Sequence, residues 1–190
     1  MRKYEFTGET QNIECTGKVI TLHRIRAARD FMGVKKEELG GWIETEDNLS
    51  HSENAWVSGN ARVFGDARVS GDARVSGNAW VSGDARVSGD AWVSGNARVS
   101  GNARVYDIRH VFTAGPIGSR DGFVTFFRDK DGGISVKCGC FSGKLGEFLE
   151  RVRKTHGDSK YAHEYILIAE SAKACIDLTA EKPEEEGDSE

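Results

Sequence analysis

Two cysteines two residues apart, Cys138 and Cys140, share the C-terminal third of the chain with His156 and His163, and thiolates with imidazoles are the donors that zinc prefers. Cys-x-Cys is weak spacing for a tetrahedral site, and unpaired thiols are more often small buried hydrophobes, so no metal or cofactor is expected. A second candidate is the loop Gly115-Pro116-Ile117-Gly118-Ser119-Arg120-Asp121-Gly122. Its glycines bare backbone N–H groups and Arg120 offers a two-pronged fork, which makes Gly118, Ser119 and Arg120 a possible anion loop. It lacks the Lys-Ser/Thr ending of a phosphate-binding loop and no helix follows it, so a plain connection is the simpler reading. The third set is larger: Trp56, Arg62, Arg68, Arg74, Trp80, Arg86, Trp92, Arg98 and Arg104 recur every six residues. Tryptophan and arginine carry most of the binding energy at protein interfaces, and that is the chemistry this set suggests.

These residues occupy one slot of a six-residue phrase that runs from Asn54 to Val105: NAWVSG, NARVFG, DARVSG, DARVSG, NAWVSG, DARVSG, DAWVSG, NARVSG, NARVY. A fixed internal period implies a structural unit that stacks on copies of itself to bury its apolar face. Ala and Val stand two apart, so on an extended segment they point one way while the Arg or Trp between them points the other. Ser-Gly-Asn/Asp is turn chemistry. Each hexad therefore reads as a short strand and a corner, with Val filling an interior. Helix is excluded, because a glycine in every sixth position is costly and the apolar spacing makes no 3.6-residue stripe.

Small, any, aliphatic, then three more residues resembles the hexapeptide repeat of left-handed parallel β-helices, a family that includes acyltransferases, γ-type carbonic anhydrases and uncharacterised phage proteins. The resemblance implies three hexads per triangular coil. Stepping from Val57 to Val105 by six then gives nine hexads and three coils. One face would carry Trp56, Arg74 and Trp92, the second Arg62, Trp80 and Arg98, and the third Arg68, Arg86 and Arg104. With coils roughly 4.8 Å apart, Arg can lie over Trp on two faces, while the third is a bare arginine column. Asn60, Asn78 and Asn96 would align as an amide ladder, and Asp66 and Asp84 would be the nearest partners of the arginine column.

The flanks read differently. Residues 1–53 form an N-terminal cap with irregular first coils. Tyr4–Phe6 and Val19–Ile25 are strand-like, and a polar turn is expected near Thr10–Asn12. Gly41-Trp42-Ile43 repeats the form of Ala55-Trp56-Val57, so the winding starts near Gly41. Leu49 is six beyond Ile43 but Val57 is eight beyond Leu49, which places a two-residue insertion near residues 48–52. After residues 54–106, residues 107–178 read as a small α+β module: a β-hairpin turning at Asp129–Gly133, then two helices, the first capped by Ser142 and ended by Gly157, the second opened by Asp158 or Ser159. Segments within residues 21–52 and 117–158 are similar to stretches of phage and prophage proteins.

The formal charge is −4, and the last ten residues contribute −5, which leaves about +1 for the rest. No nucleic-acid footprint is expected. Residues 179–190 read as a disordered acidic tail. Four scattered cysteines suit a reducing cytoplasm, that of a host if the chain is phage-encoded, and no membrane-spanning run occurs. The resemblance to acyltransferases implies a histidine base and an interrupting loop. The repeat has neither, with only His51 at its entrance; His23, His51, His110, His156 and His163 also lack the zinc spacing of the anhydrases. The expectation is a mainly β, non-catalytic protein, a homotrimer of side-by-side β-helices that docks on another macromolecule such as a host defence component. A nucleotide or small-anion binding protein is the alternative, and a hexapeptide-type acyltransferase the second.

Overall fold

Nine two-residue strands carry the repeat, and every one turns its valine inward. The computed structural model describes residues 2–179, so the acidic segment expected at 179–190 lies almost wholly outside the described residues. Three longer strands come first: β1 (Tyr4–Cys15), β2 (Lys18–Ala27) and β3 (Leu39–Ile43). The repeat supplies β4 (Trp56–Val57), β5 (Arg62–Val63), β6 (Arg68–Val69), β7 (Arg74–Val75), β8 (Trp80–Val81), β9 (Arg86–Val87), β10 (Trp92–Val93), β11 (Arg98–Val99) and β12 (Arg104–Val105). They pair in parallel eighteen residues apart, as in Trp56 with Arg74 and Arg74 with Trp92, and form three sheets: β3-β5-β8-β11, β4-β7-β10 and β6-β9-β12. The result is a three-sided β-solenoid with the expected slot assignments.

Valines from Val57 to Val105 are fully buried, and the alanines two before them leave room at the corners. Full burial of a valine is worth at least about 1.5 kcal/mol, so the column of valines is the main driving force of the winding. Backbone donors run from coil to coil, for example Trp56 N–H to Ala73 O at 3.0 Å and Arg74 N–H to Ala91 O at 2.9 Å. The corners need glycine for two reasons. Gly71 has φ +65°, and a Cβ there would sit 2.7 Å from the nitrogen of Gly89 in the next coil. The amide ladder forms as expected, Asn60 to Asn78 at 3.5 Å and Asn78 to Asn96 at 3.4 Å.

At the N-terminal end, β1 and β2 form an antiparallel hairpin, and β2 pairs antiparallel with β3. The turn is at Thr16-Gly17, not at Thr10–Asn12. Both turn residues take positive φ, 50° and 76°, which suits a two-residue hairpin, whereas Thr10–Asn12 lie in the ladder opposite Thr21–His23. β3 starts the winding: Trp42 pairs with Arg62 and Ile43 with Val63, and Leu49 bridges Val69. These offsets are twenty residues, two more than in the repeat, so the insertion falls between Leu49 and Val57. Buried Asn48 secures the first corner, donating to Gly65 O and Ala67 O at 2.9 Å each. Lys3 is buried beneath the first coil, its amine 2.7 Å from Ala55 O, and burial with nearby Arg29 lowers its pKa to about 8.

Beyond the repeat come β13 (Val111–Ile117), β14 (Gly122–Arg128), β15 (Ile134–Cys138), β16 (Phe141–Lys144), α1 (Leu145–His156) and α2 (Lys160–Cys175). The expected hairpin is β14–β15, but it is the centre of a four-stranded antiparallel sheet ordered β13-β14-β15-β16. Ser142 is not a helix cap; it pairs with Lys137 inside β16, and α1 begins after Lys144, whose N–H donates to Glu147 at 3.1 Å. Gly157 ends α1 and Ser159 precedes α2, as expected. The hairpin turn is tied by Asp129, whose buried carboxylate accepts from Asp131 N–H, Gly133 N–H, the Ser135 hydroxyl and the Lys144 amine. Burial alone would push that carboxyl up, but these donors hold it below the usual range.

The middle of β14 is buried on both faces for a structural reason. Val124 and Phe126 pack with Phe148, Val152, Ala169 and Ala172 of the helices, while Phe127 joins the solenoid core and Thr125 accepts from Arg98 N–H at 3.0 Å. With Lys130 N–H donating to Asn102 O at 3.0 Å, the sheet closes the open end of the winding.

Candidate interaction surfaces

The outward slots of the three faces have three different fates. On the face of β3, β5, β8 and β11, cation and aromatic alternate along paired strands: Arg24, Trp42, Arg62, Trp80, Arg98. Arg24 lies 5.1 Å over Trp42, and Trp80 is held between Arg62 at 5.2 Å and Arg98 at 4.7 Å, with Phe64 edge-on at 5.8 Å. Each such contact contributes about 0.5–1 kcal/mol at an exposed site, and here they tie coil to coil.

On the face of β4, β7 and β10 the expected arginine–tryptophan stack does not form. Residues that follow β2 fold over it: Phe31 meets Trp56 edge-on at 5.4 Å, and Arg74 donates to Met32 O at 3.0 Å. Trp56 is 3% exposed and is thus covered by its own chain, a correction to its expected place on a docking surface. The cover ends one coil short of Trp92, which is 51% exposed.

On the third face, Arg68, Arg86 and Arg104 stack in register. Asp66 and Asp84 partner them through backbone, not through carboxylates as expected: Arg86 donates to Asp66 O at 2.7 Å and Arg104 to Asp84 O at 2.8 Å. Among the described residues no carboxylate comes within 4 Å of the three guanidiniums. Partial burial, with Arg68 and Arg104 on either side, lowers the pKa of Arg86.

A groove of about 480 Å3 opens where the uncovered end of β10 meets β13. Trp92, Ile108 and Phe123 line it, 51%, 54% and 40% exposed, together with Ser94–Ala97, Val111, Thr113 and Gly115. β10 is the last strand of its sheet. One coil below, Arg74 N–H and Ser76 N–H donate to Ala91 O and Val93 O; among the described residues the equivalent donors of Trp92 and Ser94 find no backbone acceptor. The repeat identified Trp92, but nothing paired it with Ile108 and Phe123. The available signal was two apolar residues just beyond the point where the period fails.

The remaining candidates are committed to structure. In the loop read as an anion site, Gly118 N–H is already taken by the Glu164 carboxylate at 2.9 Å, while Ser119 and Arg120 point to solvent on a 3-10 turn. Cys138 is half-buried beside Tyr165, with its thiol pushed up by burial, and Cys140 sits past the positive-φ Gly139 at the turn, exposed. Among the described residues no group of three or more His, Cys, Asp or Glu is placed to hold a metal ion. His51 is stacked on Tyr4 at 4.1 Å and accepts from Lys3 N–H; His110 is buried and accepts from Tyr106 N–H at 3.0 Å. No described helix is long and apolar enough to cross a membrane.

Residues 55–71, 67–83, 79–95, 93–107 and 97–111 match the YdcK beta solenoid repeat family. These matches agree with the winding seen here and stop where β13 begins. No curated protein matches the chain.

Proposed function

We propose that this chain is a non-catalytic binding protein that captures an extended segment of a partner protein in the groove of Trp92, Ile108 and Phe123. The observation that carries this reading is the convergence of three exposed apolar side chains on the open edge of β10. An incoming strand can accept hydrogen bonds from that edge while its alternate side chains enter the apolar groove, the mode of strand addition. Tryptophan at the centre of such a site supplies the large, rigid anchor typical of binding hot spots. The likeness of the repeat and its flanks to phage proteins makes a host defence component in the host cytoplasm the partner we favour.

Side-by-side trimerisation is not part of this reading. Trp56 and Arg74 lie under the chain's own N-terminal segment, and the third face would bring arginine columns against each other. The experiment is selection of random peptides on the full chain and on the Trp92→Ser/Phe123→Ser variant. Peptides with alternating apolar residues should enrich on the first and not on the second, with thermal stability unchanged. Equal enrichment on both would overturn the assignment.

A further inference from the structure

We propose that the segment captured at the edge of β10 carries an arginine whose guanidinium lies over Trp92. This inference rests on the capture of an extended segment proposed above and names the side chain that the site selects.

The paired strands show what a tryptophan in this slot is built to meet. Each of the other three tryptophans has an arginine as its register partner on the strand that follows: Trp42 with Arg62, Trp56 with Arg74 and Trp80 with Arg98. The last pair shows the contact itself, with the Arg98 guanidinium 4.7 Å over the indole of Trp80. β10 ends its sheet, so no strand brings an arginine to Trp92. Among the described residues nothing else takes that place. Trp42 has Arg24, Trp56 has Phe31, and Trp80 has Arg62, Arg98 and Phe64, whereas Trp92 has neither a ring nor a cation against it. Arg74, one coil below, is turned to Met32 O. Half of Trp92 is therefore open, in a groove whose lining residues are all uncharged.

Backbone geometry sets where the arginine must stand. Arg74 N–H and Ser76 N–H donate to Ala91 O and Val93 O, the carbonyls on either side of Trp92. In the same register, a parallel segment that accepts from Trp92 N–H and Ser94 N–H puts the residue between its two accepting carbonyls opposite Trp92, on the same side of the sheet. A Cβ at Gly95 would meet nothing within 4 Å, so the corner beyond β10 leaves such a segment room to continue. A guanidinium suits this place because it is planar, weakly hydrated and stacks on aromatic faces, and indole is the ring that attracts a cation best. The charge around it agrees. Asp90 is exposed two residues before Trp92, and no cation among the described residues comes within 4 Å of its carboxylate.

The test uses two synthetic heptapeptide libraries, random except at the central residue, which is arginine in one and citrulline in the other. Citrulline keeps the length and the planar head and loses the charge. Matched sequences should bind the full chain about two- to five-fold more tightly with arginine, the range of an exposed cation–π contact. On Trp92→Leu, which stays apolar but has no ring, the two should bind alike. Equal affinities on the unaltered chain, lost on Trp92→Ser/Phe123→Ser, would overturn the arginine and leave the capture standing. If neither library is retained, the capture falls and this inference with it. A light-scattering mass of two copies that Trp92→Leu returns to one would also overturn it, by giving the edge to a second copy.

Discussion

The backbone N–H of Arg98 meets the hydroxyl of Thr125 at 3.0 Å, and at that point a side chain replaces the next coil. One and two coils below, Trp80 and Arg62 donate to the carbonyls of Ala97 and Ala79, each at 2.9 Å. Arg98 has no later hexad above it, and buried Thr125 supplies the acceptor. Thr125→Val keeps the shape and removes the oxygen. It should cost about 1–3 kcal/mol, the penalty of an unpaired buried donor. Urea unfolding measures the loss, and amide exchange at Arg98 should quicken.

Two corner glycines separate strain from stacking. Gly71 and Gly101 have nearly the same φ, 65° and 64°, but a Cβ at Gly71 collides with the Gly89 backbone whereas one at Gly101 meets nothing. Gly101→Ala should cost about 1–2 kcal/mol from left-handed backbone alone. Gly71→Ala should cost clearly more; equal losses in thermal unfolding would refute the close-packed corner.

Trp80 and Trp92 fill the same slot of the same phrase and should behave oppositely. Trp80→Ala removes two cation–π partners and the Phe64 contact and should cost about 2 kcal/mol. Trp92 is half exposed, and Trp92→Ala should leave stability within about 0.5 kcal/mol. Denaturant midpoints of the two variants decide the matter.

Lys3 predicts a pH dependence. Its folded pKa is about 8 against an ordinary 10.5, chiefly through burial. The unfolded chain therefore holds more protons between those values, and stability should climb as pH rises through the window. Below about 8 the full penalty of burying the charge applies. Lys3→Met should flatten the rise between about pH 8 and about pH 10, whatever it does to absolute stability. An unchanged slope in urea unfolding would exclude Lys3 as its source.

The interior of the winding was legible because one period sets both spacing and burial: Val57 and Val75 face the same way in any coil of fixed length. The start at Gly41 and the two surplus residues after Leu49 were legible for the same reason. The covers were not. Trp56 and Trp92 sit in the same Ala-Trp-Val-Ser-Gly-Asn run, and only the path of residues 28–36, which no period encodes, buries one and bares the other. The edge strands β13 and β16 were hidden by Gly115-Pro116 and Ser142-Gly143, turn residues that an edge tolerates because one side of its ladder is unused. Of the three residues read as a possible anion loop, only Gly118 meets a carboxylate, that of Glu164 in the same chain, a partner that no local spacing announces.

Because each valine meets another valine one winding on, a chain that zipped up displaced by a whole turn would find nearly the same neighbours. The monotony that makes the prism easy to build leaves its alignment degenerate. What breaks the tie sits at the extremities: the twenty-residue offset of Ile43 and Leu49 at the base, and Thr125 and Phe127 at the lid. Proofreading of the wound middle is thus delegated to the two ends, and trimming either one would free the windings to slide.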